Sequence, residues 1–223
     1  MTFSRPVEDI IRERYSCRTY MKKPIDAAAL ARLERYMETD APAPFGGRMR
    51  FSIITSVEGD GDTLRKVGTY GVIKDAPAFI AGAVAEQGAR LEDYGYRMER
   101  IILAAADAGL GTCWLGGTFT RSNFAERMSL APGEAIPAVV ALGYDANRTR
   151  VLDALMRLGA GSDRRKPWSE LFFDGGFGPA LAQDSAGNYA TILEMLRLAP
   201  SASNKQPWRV LREKRERRFH FYL

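Results

Sequence analysis

The chain has two cysteines and one histidine, too few for a disulfide framework or a metal cluster. It also lacks any apolar run near the roughly 20 residues that a membrane helix needs. The longest candidate, residues 101–115, is interrupted by Asp107, Gly109 and Gly111. The first eight residues carry no apolar core of a secretion signal. These absences make a cytoplasmic protein with no membrane partner the expectation. Helix-turn-helix patterning, zinc-finger spacing and an aromatic-glycine RNA signature are missing too. The net charge of +5 sits largely in two short basic runs, Arg164-Arg165-Lys166 and residues 212–218, the second interleaved with acids. A solvated basic face accounts for that charge, and nucleic acid is not an expected partner.

What is present is an ordinary folded composition, 46% apolar and 26% charged over 223 residues. That length allows one large domain or two small ones. Apolar residues recurring at three- and four-residue spacing predict helices over 7–14, 26–38, 90–108, 121–128 and 189–198. Asp26 is a candidate cap for the second of these. Residues 50–56, rich in β-branched side chains, predict a strand, as do 76–84, 136–142, 209–212 and 218–223. Residues 145–163 read as looser chain, and the glycine-rich 175–184 reads as a linker. Helices and strands without regular alternation imply an α+β fold.

Three stretches carry polar chemistry. Arg14-Tyr15-Ser16-Cys17-Arg18 places two guanidiniums and a hydroxyl on alternate residues. In an extended segment these share a face and suit phosphate oxygens or a polyhydroxyl chain, although a solvated loop fits the same string. Gly109-Leu110-Gly111-Thr112-Cys113-Trp114-Leu115-Gly116-Gly117 lets the backbone turn sharply and approach a ligand, or simply flanks a short buried strand. It follows a helix and lacks Gly-Lys-Ser, so it is neither a dinucleotide fingerprint nor a phosphate loop. Pro200-Ser201-Ala202-Ser203-Asn204-Lys205-Gln206-Pro207-Trp208 is a polar tip held between prolines. It is either a plain helix-to-strand turn or a ligand clamp for a flat molecule with a polar edge. Cys17 and Cys113 read as small packing residues, and His220 as structural.

Together with Arg165-Lys166-Pro167 and the acidic-apolar segment after it, these motifs resemble the FMN-dependent nitroreductase superfamily over most of the chain. Relatives carry the Pro-Ser-x-x-Asn-x-Gln-Pro-Trp segment early, where this chain has residues 42–47 instead. Residues 29–54 and 190–211 both read as helix, proline-containing turn and strand. The chain therefore looks like the subgroup with a partly duplicated chain, in which one monomer mimics the usual dimer; a homodimer remains the other expectation. The division expected is a nitroreductase-like lobe over 1–174 and a partial second lobe over 175–223.

The resemblance implies a nitroreductase-like fold, a mixed or antiparallel sheet flanked by helices with partial internal duplication. It implies FMN as cofactor, with NADH or NADPH as electron donor. Arg14, Ser16, Arg18 and Arg165 would hold the phosphate and ribityl chain. Pro200, Ser201, Asn204 and Gln206 would meet the ring or ribityl hydroxyls, and the backbone at Leu115, Gly116 and Gly117 would face N5 and O4. Tyr70, Gly71 and Lys74 would line the pyrimidine side. No side chain is expected to be catalytic: a nicotinamide would pass a hydride to the flavin, and a nitroaromatic, a quinone or a similar small-molecule acceptor would then take the electrons in a ping-pong reaction. Relatives continue past the strand that closes this sequence with a glycine-bearing segment and a helix, so a truncated second lobe is also an expectation. Two other readings stay open at this point: a flavin-binding protein without such turnover, and an interaction domain that keeps only the fold.

Overall fold

Strand β2 (Ala78–Ala85) is buried along all but its last residue, which explains its unbroken apolar sequence. It lies inside an antiparallel sheet of order β1-β2-β5-β3, where β1 is Met49–Thr55, β3 is Gly111–Leu115 and β5 is Val139–Gly143; the two-residue β4 (Glu134–Ala135) also pairs with β2. The computed structural model describes residues 3–38, 43–55, 72–88, 90–146, 164–214 and 217–223. They form two compact units, residues 1–149 and 150–223.

In the first unit both faces of the sheet are covered. Ile80, Val140 and Leu142 face α3 (Leu91–Asp107), whose Met98, Ile101, Ile102 and Ala105 form its apolar side, and Leu33 of α2 (Ala27–Glu38) joins them. Each such aliphatic side chain contributes about 1.5–3 kcal/mol on burial. Phe79, Ala81, Val139 and Ala141 face the other way, towards Phe119 and Phe124, the latter on α4 (Arg121–Arg127). A Cβ at Gly82 would lie 2.5 Å from the Phe51 ring and 2.7 Å from the Tyr94 ring, so glycine lets these two aromatics meet across the strand.

Helix α1 (Val7–Glu13) precedes the sheet. Near it Ser4 donates to the buried Asp107 carboxylate through its amide (2.9 Å) and hydroxyl (2.6 Å). Arg32 adds an ion pair at 2.7 Å. Burial pushes this carboxyl up, but the two Ser4 hydrogen bonds and Arg32 outweigh it and leave Asp107 below its usual pKa. The end of α3 is thereby tied to the N-terminal segment and to α2.

Expected and observed elements differ mainly at prolines. The strand expected from 76 begins at Ala78, after Pro77. The strand expected over 136–142 starts only at Val139, after Pro137, which has no amide to donate; β4, which pairs with β2, ends before it at Ala135. Asp26 precedes α2, where its carboxylate accepts from the Tyr144 hydroxyl at 2.6 Å. The looser stretch expected at 145–163 falls almost wholly outside the described residues.

The second unit has its own mixed sheet: β6 (Phe172–Asp174) parallel to β7 (Arg209–Arg212), and β7 antiparallel to β8 (Phe219–Tyr222). Leu171, Phe172, Leu181, Leu193, Trp208 and Val210 form its core, with Leu193 supplied by α5 (Ala190–Arg197). The unit boundary therefore lies before β6 and not after residue 174, because Leu171 and Phe172 bury themselves in this core. Residues 175–184 are not a linker. Gly175, at φ 73°, turns the chain back so that Leu181 N–H donates to the Phe172 carbonyl at 2.9 Å. His220 contacts Glu213 at 2.6 Å.

No helix among the described residues is long and apolar enough to cross a membrane. Arg50 of β1 meets Glu134 of β4 in a two-pronged ion pair (2.7 and 3.1 Å), and Glu134 also accepts from the Ala131 amide at 2.9 Å. The Arg50 contact and the Ala131 amide lower the Glu134 pKa from 4.5 to about 2. A carboxyl lowered on folding stabilises above its unfolded pKa and loses that contribution as pH falls through its folded value. Glu134→Gln is expected to be less stable than the parent at pH 7, with the gap closing between pH 4.5 and about 2; urea midpoints at several pH values check this.

Candidate functional site

Helix α3 stops at Gly109, whose φ of 78° suits glycine, and the chain enters β3 at Gly111. Cys113 and Leu115 then point into the core with Phe119 and Phe124, while Trp114 points towards α3. Residues 14–20 run extended beside this strand. The Cys17 amide donates to the Thr112 carbonyl at 2.9 Å, and Ser16 bridges Thr112 in parallel. A Cβ at Gly111 would lie 2.9 Å from the Cys17 Cβ, so the approach needs glycine there. Further on, the Lys74 amide donates to the Arg18 carbonyl (2.8 Å) and the Tyr20 amide to the Lys74 carbonyl (3.0 Å). The Tyr20 hydroxyl donates to the Cys17 carbonyl at 2.7 Å.

Alternation along this segment follows the extended geometry. Cys17 is buried, Ser16 half-buried and Arg18 exposed. The Arg14 side chain is only 5% exposed, and its Nε lies 3.5 Å from Glu99 of α3. Arg14, Ser16 and Arg18 all act on one point, the Cys113 thiol. Burial raises its pKa, while the charges of Arg18 and Arg14 and a hydrogen bond with Ser16 pull the other way. Burial likewise pushes Cys17 up to about 11. Both thiols thus stay protonated at neutral pH and serve as packing groups. Just past β3, Gly116 and Gly117 are exposed, and a Cβ on either would meet nothing within 4 Å.

In the second unit the Pro200–Trp208 tip is a strained loop. Ser203, Asn204 and Gln206 all have left-handed backbones, at φ 51°, 53° and 47°. Such residues cost about 1–3 kcal/mol each and persist where the surroundings hold them. Here the Ser201 hydroxyl accepts from the Gln206 amide at 2.9 Å. The Gln206 side chain, buried, accepts from the Lys166 amide (2.7 Å) and donates to the Arg164 carbonyl (3.1 Å). The Asn204 amide group donates to the same carbonyl at 2.9 Å. Arg165 reaches the Asn204 side-chain oxygen (3.2 Å) and the Leu198 carbonyl (3.1 Å). Ser201, Asn204 and Gln206 of the tip and Arg165, 36 or more residues before them, therefore form one hydrogen-bonded cluster, and Pro200 leads into it.

Of the other expected residues, Tyr70 and Gly71 lie outside the described ones. Lys74 is placed beside Arg18 by its backbone. Two further residues join the site. Glu99 joins Arg14 to the Trp114 indole, whose N–H donates to it at 2.7 Å. Asp93, fully buried, accepts from the amides of Phe45 (2.9 Å) and Gly47 (2.6 Å) and so shapes the turn before β1. Neither has a local signature, because an acid in an amphipathic helix reads as a solvated residue until its partner on another element is known. No group of three or more residues that could hold a metal ion occurs among the described residues.

A two-unit α+β chain with a glycine-flanked strand and an arginine-serine-arginine segment beside it defines a nitroreductase-like protein. The family described as "Putative TM nitroreductase" matches residues 7–217, and the chain belongs to the nitroreductase family. A "putative nitroreductase" of Thermotoga maritima is similar at 20% identity and TM-score 0.60, covering 95% of this chain and 74% of that one. An FMN-dependent nitroreductase of Clostridium difficile is similar at 18% identity and TM-score 0.52, covering 63% and 88%. A "putative NADH oxidase" of Clostridium acetobutylicum reaches 25% identity and TM-score 0.50, covering 62% and 89%. No curated protein matches the chain.

Gln206→Ala would leave the Lys166 amide without its acceptor inside a strained loop. It is expected to lower the stability of the protein by about 2–3 kcal/mol, as read from urea unfolding.

Proposed function

We propose that this nitroreductase-family chain is an FMN-dependent oxidoreductase that takes electrons from NADH or NADPH and passes them to nitroaromatic, quinone or similar acceptors in alternating half-reactions. The observation that carries this reading is Arg14. Its side chain is almost buried, its Nε faces Glu99, and its terminal nitrogens have no protein hydrogen-bond partner among the described residues. A nearly desolvated guanidinium with two free donors suits a phosphate, which accepts a bidentate pair. Ser16 adds a compact donor and Arg18 a second, exposed positive charge on the same segment. The residues present fit FMN.

Bound FMN would supply the two-electron chemistry. The chain's own residues would bind and orient it. Arg14, Arg18 and Ser16 would hold the phosphate and ribityl end. The backbone at Leu115, which is buried, and at the exposed Gly116 and Gly117 would offer amides to the polar edge of the ring, where the two glycines leave room for a close approach. No thiol or carboxylate is asked to transfer a proton, in keeping with buried, protonated cysteines. The FMN dependence of the similar Clostridium difficile protein and the NADH oxidase description of the Clostridium acetobutylicum one support the choice of cofactor and donor.

For the second unit we read Arg165, Pro200, Ser201, Asn204 and Gln206 as a ligand-facing loop whose strain is held by its own hydrogen bonds. We also read this unit as a partial repeat of the first. The order helix, loop and antiparallel strand pair in α2-β1-β2 and again in α5-β7-β8 supports that reading.

Protein reconstituted with FMN is expected to oxidise NADH or NADPH only when a nitro or quinone acceptor is present. Arg14→Ala and Arg18→Ala are each expected to weaken FMN binding about tenfold or more in a flavin-fluorescence titration. Unchanged binding in both variants would sink the phosphate assignment.

A further inference from the structure

Glu99 is a charged residue on the inner side of α3 that the proposed chemistry does not use, yet it is held from two sides. Its Oε2 accepts from the Trp114 indole N–H at 2.7 Å, and its Oε1 lies 3.5 Å from Arg14 Nε. We propose that Glu99 is a positioning residue that sets Arg14 for recognition of a phosphomonoester, so that the site prefers FMN over the unphosphorylated flavin. This rests on the FMN reading given above.

A free arginine side chain samples many rotamers, and binding a phosphate would otherwise have to freeze them out. In this chain much of that freedom is already gone. The Arg14 amide donates to the Ile10 carbonyl at 2.9 Å, which fixes the backbone at the end of α1. At the far end of the side chain, Glu99 faces the Nε edge of the guanidinium. A carboxylate 3.5 Å from Nε attracts the fork from that edge by charge while both terminal nitrogens remain for a ligand. The position matters, because a carboxylate across the terminal nitrogens would occupy the same donors that a phosphate needs.

Trp114 has two effects on this arrangement. Its N–H fixes the carboxylate, so Glu99 cannot swing round to the open end of the fork. It also takes up part of the negative charge, which lessens repulsion of an incoming phosphate dianion. The path runs from β3 through Trp114 and Glu99 to Arg14. It links the glycine-flanked strand to the arginine segment by side chains, in addition to the backbone bond between Cys17 and Thr112.

The test compares FMN with riboflavin, which lacks only the phosphate. Dissociation constants for both are measured by flavin fluorescence on the whole chain and on Glu99→Gln and Trp114→Phe. Glu99→Gln keeps the size of the side chain and an acceptor for the indole but removes the charge beside Nε. The FMN preference is expected to fall about tenfold in Glu99→Gln, with riboflavin affinity unchanged. Trp114→Phe, which leaves the ion pair but frees the carboxylate, is expected to shift the preference the same way by about threefold. This variant carries the test if Glu99→Gln does not fold. Equal losses for both flavins would mean a purely structural role and overturn the proposal. So would a stronger FMN preference, which would show that Glu99 merely competes with the phosphate. If the parent protein binds neither flavin, the FMN reading falls and this inference with it. If the parent prefers FMN and both variants keep that preference, only the role of Glu99 falls.

Discussion

Residues 14–20 can lie against β3 only because Gly111 has no side chain, and the candidate site of the first unit depends on that contact. With a Cβ at Gly111, the Cys17 side chain would be displaced, and the bond from the Cys17 amide to the Thr112 carbonyl would be lost or lengthened. That bond sets the register. With Cys17 turned inward, residues 14, 16 and 18 alternate with it along the extended segment. The sheet beneath is rigid because β2 and β5 are buried on both faces, so the segment docks on a surface that does not yield.

Electrostatics then refine what packing has placed. Arg14 would be costly to bury alone, and Glu99 offsets that cost without covering the end of the fork. Glu99 in turn is held by Trp114, so one carboxylate links a helix, a strand and an extended segment. Asp107 plays a similar part at the other end of the same helix, where Ser4 and Arg32 converge on it. In the second unit the balance is reached differently. Three left-handed residues are tolerated because Ser201, Asn204 and Gln206 bond to each other's backbone and to residues 164–166. The side chains expected to face a ligand are the ones that hold the loop in shape.

Much of this was legible in the residues themselves. Periodicity located α1, α2, α3, α4 and α5 to within a few residues, since apolar spacing reports directly on which face is buried. The boundaries that moved did so at Pro77 and Pro137, where a missing amide decides what pairing cannot. The glycine-rich 175–184 reads as a linker in sequence but is a turn within the second unit, because glycine signals a turn without saying whether the turn joins units or folds one strand back on itself. Asp93 and Glu99 were invisible for a related reason. A carboxylate's role lies in its partner, and the partners here are 46 and 15 residues away along the chain.

By itself, then, the sequence determined the element types, the clustering of polar motifs and the membership in the nitroreductase family that those motifs announce. Local spacing and residue chemistry suffice for such properties, because they depend on neighbours within a turn or a strand. Only the tertiary structure decided that Leu171 and Phe172 belong to the second core, that Asn204 and Gln206 brace Arg164–Lys166, and that Glu99 stands between Arg14 and Trp114. These are long-range pairings, settled by which surfaces can be buried together and which buried polar atoms must then find a partner.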